Sequence, residues 1–202
     1  MSHNWEIIPI IALPIMKNTK QKIIDTAIEI FNDDYSSSLE KIAERAEVTR
    51  RTLHRYFTDR NDLLRACKQE MQENCRANIT AAVNSSTDPL IQLEQVLYAS
   101  IDCGSKYSFL HKLHQQQDHQ HQKEDEDCAA YDDTFLQTTT LILTLQKQGI
   151  ISSNLTQGWI ILFMRGIITT TILSATTGSV AINDIKNFAW FSFSKGIGIN
   201  LL

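Results

Sequence analysis

Leu39-Glu40-Lys41-Ile42-Ala43-Glu44-Arg45-Ala46-Glu47-Val48-Thr49-Arg50-Arg51-Thr52-Leu53-His54-Arg55-Tyr56-Phe57 is the stretch whose spacing decides the fold. Leu39, Ile42, Ala43 and Ala46 recur at i, i+3, i+4 and i+7, one face of a helix. Ser37 followed by Glu40 reads as a capping box, so a helix is expected to start there. Glu47-Val48-Thr49 breaks the pattern. Thr49 then suits the N-cap of a short third helix that turns Leu53 and Phe57 to one side. Helix, tight turn and helix within residues 39–57 is helix-turn-helix spacing. Ala43 is small where the two helices cross, and Val48 and Leu53 point inward behind the turn.

Working outward, residues 20–31 place Ile23, Ala27, Ile30 and Phe31 at helical intervals, flanked by Ile24 and Ile28. Residues 32–38 read as a polar loop. Thr58-Asp59 reads as the cap of a long helix that carries Leu63, Leu64, Cys67 and Met71 inward and reaches Val83. Residues 84–89 form a turn cluster. Residues 90–105 and 135–148 are helical in pattern, the latter stopped at Gly149. Residues 111–133 are very polar, a loop or a solvated helix. Residues 154–175 and 183–201 read as two long, apolar helices separated by Gly178.

Composition agrees. Only seven glycines and three prolines occur, and no glycine precedes Gly104. Few breakers suit helices and disfavour turn-rich β folds and glycine-loop α/β folds. The expected fold is all-α: an N-terminal extension at 1–15, a three-helix helix-turn-helix domain at 16–62, and a helical body at 63–202.

The formal net charge is −4, yet residues 41–68 hold eight basic groups against four acidic ones. A local positive patch can meet phosphates whatever the total charge. Around Leu53 and Phe57, the rest of the third helix is Arg50, Arg51, Thr52, His54 and Arg55. Arginine reads guanine O6 and N7 bidentately in the major groove. These five are therefore the candidates for base readout, and Thr49, Tyr56 and Arg60 for the DNA backbone. On this reading Arg60→Ala weakens binding to all sequences.

Residues 20–31 resemble the first helix of the tetracycline-repressor (TetR) family of transcriptional regulators. Residues 39–57 resemble its helix-turn-helix closely, and Asp59-Arg60-Asn61-Asp62-Leu63-Leu64 resembles the start of its fourth helix. The resemblance is specific over about residues 17–70. It departs at Glu47, where the family often has glycine, and at the short loop 32–36, so no phosphate contact is carried over from that loop. It implies a cytoplasmic regulator, usually a repressor, that binds a two-fold symmetric double-stranded DNA operator as a homodimer. The helices at 154–175 and 183–201 would form the dimer interface. It also implies a body pocket for an unknown small-molecule effector, whose binding tilts the helix that starts near Asp59.

Other chemistries find less support. No Ser/His/Asp pattern, phosphate loop or H-E-x-x-H motif indicates an enzyme, and no cofactor is expected. Cys67, Cys75, Cys103 and Cys128 lack C-x-x-C spacing and are expected as free, buried thiols in a reducing compartment. His111, His114, His119 and His121 suggest a metal-responsive alternative, set against a Gln/His-rich solvated stretch with no metal. A helical adaptor without DNA binding is the other alternative, opposed by the retained arginines. Residues 159–175 are apolar but carry Arg165, so a buried helix is expected there rather than a membrane span. Arg165 is expected to pair across the dimer interface or to meet an acidic ligand.

Overall fold

The computed structural model describes residues 18–109 and 126–199. Among the described residues there are eight α-helices and no strand. They are α1 (Thr19–Asp33), α2 (Leu39–Arg45), α3 (Arg50–Tyr56), α4 (Arg60–Val83), α5 (Pro89–Lys106), α6 (Glu126–Lys147), α7 (Gln157–Thr177) and α8 (Ile182–Gly196). The extension at 1–15 and the histidines at 111–121 lie outside the described residues.

Local chemistry explains most boundaries. The Thr49 hydroxyl accepts from Thr52 N at 3.0 Å and Asp59 accepts from Asp62 N at 2.8 Å, capping α3 and α4. Asp88 caps α5, with Pro89 in its first turn. Gly178 closes α7 in the left-handed region at φ 65°, where a side chain would be strained. Three expectations shift. The cap of α2 is Ser38, whose hydroxyl accepts from Lys41 N at 3.3 Å. Ser37 is buried and donates to Asp34 instead. Helix α6 starts at Glu126, inside the stretch read as polar, and α8 ends at Gly196 rather than Leu201. Gly198 has φ 85° there, and the carbonyl of Ile197 accepts from Ser152 N, drawing the chain end back over the body.

Two apolar clusters organise the molecule. The first joins Ile23, Ala27 and Phe31 of α1, Ile42 and Ala43 of α2, Leu53 of α3, and Leu63 and Cys67 of α4. It also takes in Cys103, Tyr107 and Phe109 at the end of α5. The second joins Ile79 of α4, Leu97 of α5, Ile142 of α6, Met164 of α7 and Phe193 of α8. Helix α4 is unbroken and supplies side chains to both, so the boundary expected after residue 62 falls in its first turn. Helix α5 is the central strut of the body, touching α4, α6, α7 and α8. Its crossing with α7 is close: a Cβ on Gly104 would lie 2.8 Å from Ile172 Cδ1.

The thiols differ from the expectation. Cys75 of α4 and Cys103 of α5 are joined in a disulfide, with Cα atoms 5.8 Å apart. Cys67 is a free thiol, and burial pushes it up to about 12. Helix α7 also departs from expectation. It is long and apolar enough to cross a membrane by length and composition, and most of that stretch is unburied in a single chain. Trp190 is in the core, whereas Trp159 and Phe191 are exposed.

Candidate nucleic-acid interface

At 100° per residue, Arg50, His54, Arg51 and Arg55 fall at 0°, 40°, 100° and 140° around α3, whereas Leu53 and Phe57 fall at about 300° and 340°. The apolar pair is buried at 0% and 2% exposure and fixes the helix to α1, α2 and α4. Arg51 and Arg55 lie opposite that pair and face solvent, Arg50 and His54 border it, and all four are exposed. The positions nearest the N-terminus of such a helix are those that enter a major groove first.

The four side chains are not equivalent. Arg50 pairs with Glu40 of α2 at 3.1 Å. The Glu40 carboxyl is held below the usual carboxylate range by its own backbone N–H, then by the Ser38 hydroxyl and Arg50. Arg55 lies over the Tyr56 ring and donates to its hydroxyl at 3.3 Å. Arg51 makes no ion pair among the described residues. Thr49 and Thr52 share a hydrogen bond at 2.9 Å beside the capping bond, so both hydroxyls are engaged at the helix start. Arg50 and His54 also line a shallow groove with Tyr35, Ser38 and Glu40.

Arg60 stands apart from the other expected positions. Its guanidinium donates to the backbone carbonyls of Tyr35 and Ser37. It stacks over the rings of Phe31 and Tyr35 at 4.7 and 4.9 Å. Asp34 completes the same loop, accepting from Ser36 N at 2.9 Å and from the hydroxyls of Ser36 and Ser37. Those two hydroxyls hold its carboxyl below the usual range. A loop without glycine is thus built by one carboxylate and one guanidinium. Arg60→Ala is expected to cost about 1–3 kcal/mol through lost hydrogen bonds and ring stacking. In a chain of this size that lowers the melting temperature by about 3–10 °C; an unchanged melting curve would place Arg60 outside the scaffold.

The turn between α2 and α3 is also made without glycine. Glu47 adopts φ 53°, the left-handed region that a side chain enters only with strain. Its carboxylate pairs with Lys22 of α1 at 2.5 Å, and this hydrogen bond and charge hold it below the usual range. Because the pair is exposed, relief of backbone strain outweighs its loss. Glu47→Gly is therefore expected to raise the melting temperature by about 2 °C. A fall in calorimetry would show that the Lys22 pair dominates.

Sequence reasoning placed Glu40 at a helix start but missed its pairing with Arg50, and it missed Asn32, which ties the domain to the body. The Asn32 amide donates to the Lys106 carbonyl at 2.8 Å, and its oxygen accepts from Phe109 N and the Ser108 hydroxyl at 3.0 Å each. The i to i+10 relation of Glu40 and Arg50 across a known turn was a usable signal; nothing local announces the Asn32 contacts.

Comparison with known proteins bears on the same surface. Residues 23–67 match the family model for bacterial regulatory proteins, tetR family. Over 95 residues the chain is 32% identical to the HTH-type transcriptional repressor LfrR of Mycolicibacterium smegmatis. That alignment spans 47% of this chain and 50% of LfrR, about half the length of the curated relative. The crystal structure of LfrR from Mycobacterium smegmatis in complex with proflavine superposes with a TM-score of 0.69 at 24% identity, covering 91% of this chain and 97% of that one. PfmR from Thermus thermophilus, a TetR family transcriptional regulator, gives 0.70 at 13% identity over 92% and 98%. Sequence likeness is thus concentrated where the arginine-bearing helix is built, while the fold is shared along nearly the whole chain. Residues 23–67 thus carry the sequence pattern of the tetR family of bacterial regulatory proteins, on a fold shared with TetR-like regulators along nearly the whole chain.

Proposed function

We propose that this chain is a cytoplasmic, ligand-responsive transcriptional repressor that binds a palindromic operator as a homodimer. The observation that carries the reading is the solvent-facing arc of Arg50, Arg51, His54 and Arg55 on α3, backed by buried Leu53 and Phe57. Arg51 reads base edges, with Arg50, Thr52, His54 and Arg55 beside it. Thr49 and Tyr56 meet the DNA backbone, while Arg60 acts by holding the loop that seats α2. The dimer forms through α7 and α8, whose exposed faces carry Trp159, Leu162, Leu173, Phe188 and Phe191. LfrR is named a repressor and is known bound to proflavine, which supports repression and a small-molecule effector here. An effector acts by binding the DNA-free arrangement more tightly than the DNA-bound one.

Selection of bound fragments from genomic DNA tests the reading. The expected result is a two-fold symmetric motif with half-sites about 34 Å apart, or one helical turn. Recovery of fragments without a shared motif would overturn it.

A further inference from the structure

Cys75 and Cys103 sit where the DNA-binding half meets the body. Cys75 lies in the second half of α4, the helix shared by both apolar clusters. Cys103 lies in the last turn of α5. The end of α5 is already tied to α1 through Asn32, and to α4 through Asn74, which donates to the Tyr107 hydroxyl at 2.9 Å. The 5.8 Å between Cα atoms is within the range a disulfide spans without backbone movement.

We propose that Cys75 and Cys103 are a reversible dithiol–disulfide pair whose closure clamps α4 to the end of α5 and thereby changes operator affinity. The oxidant is hydrogen peroxide. Cys75, half-buried where Cys103 is 8% exposed, is the entry point. Its thiolate attacks the O–O bond, becoming a sulfenic acid while the leaving oxygen departs as water. The Cys103 thiol then attacks the Cys75 sulfur, the S–S bond forms, and a second water leaves. Two thiols are oxidised and one peroxide is reduced. A small dithiol reverses the step by exchange. Cys67, buried and fully protonated at neutral pH, does not compete.

The clamp acts on the joint through which any swing of the DNA-binding half must pass. Only its last step, the change in operator affinity, rests on the DNA-binding reading. The test therefore has a readout that needs no DNA. The full chain is treated with hydrogen peroxide or with dithiothreitol, then denatured and alkylated. Two labelled thiols, Cys67 and Cys128, are expected after oxidation, and four after reduction. Hydrogen exchange over α4 is expected to slow in the oxidised form, and operator affinity to change at least about fivefold. In Cys75→Ser, which replaces the half-buried partner and spares the core, exchange and affinity are expected to be insensitive to oxidant.

Four labelled thiols after peroxide overturn the pair. A pair that closes without altering exchange or affinity overturns the clamp. A pair that closes and slows exchange in a protein that binds no DNA supports the clamp and overturns the DNA-binding reading instead.

Discussion

Arg51→Ala is expected to weaken operator binding by about 1–3 kcal/mol per subunit and to relax specificity at the base pair it meets. A dimer loses the contact twice, about 2–6 kcal/mol in all, so the fall is on the order of 30- to 10⁴-fold. Arg51 is singled out because its neighbours are engaged. Arg50 must exchange its pairing with Glu40 for a base edge, and Arg55 is partly held on the Tyr56 ring. An exchanged contact contributes less than a new one, so Arg50→Ala is expected to cost less than Arg51→Ala. The folded state is insensitive to either change, since both side chains are exposed and Leu53 carries the packing of α3. The measurement is fluorescence anisotropy on the selected operator and on single-base variants at fixed salt, because phosphate contacts make affinity salt-dependent. A uniform loss over all variants would make Arg51 a phosphate contact. Unchanged affinity of the Arg50→Ala, Arg51→Ala double variant would remove α3 from the interface.

Helix α3 was legible in the sequence because everything that defines it is local. Thr49 and Asp59 each cap a helix by reaching three residues ahead, and Leu53 and Phe57 are one turn apart. The stop at Gly149 and the Gly178 break are local too. What was not legible depends on chain segments brought together from far away. Arg60 reaches carbonyls more than twenty residues upstream. Asn32 meets the end of α5 across 74 to 77 residues, and Cys75 meets Cys103 across 28. Cysteine spacing carries no trace of that pairing, since a disulfide between two helices needs a crossing, not a motif. The C-terminal helices posed a different problem. Both are apolar around much of their circumference, so periodicity alone could not say which face each chain buries within itself.

Leu162→Glu and Phe191→Glu are expected to convert the protein to a monomer, separately at low concentration and together at any. On α7, Trp159, Leu162, Gly166, Thr170 and Leu173 fall within about 80° of one another at 100° per residue, and all are exposed. On α8, Phe188 and Phe191 are 57% and 61% exposed, and Ile182 at its start is 75% exposed. The six large side chains leave roughly 600 Å² of apolar surface in one chain, at the upper limit of what a lone soluble protein shows. Two such faces together reach the area of a standard dimer interface. Gly166 at the middle of the stripe lets a second helix approach closely, and Asp184 and Lys195 lie near opposite ends of α8. A two-fold, antiparallel copy therefore sets opposite charges together. In such an interface each glutamate is introduced twice. Each copy removes about 1.5–3 kcal/mol of apolar burial and adds a desolvation penalty of several kcal/mol. The double variant then exceeds what a nanomolar dimer can absorb. Operator affinity falls with it by about 10²- to 10⁴-fold, because two half-sites are no longer read by one tethered body. Light scattering and ultracentrifugation give the mass, and circular dichroism checks that the helices persist. A double variant that remains dimeric with its helices intact would move the interface off α7 and α8.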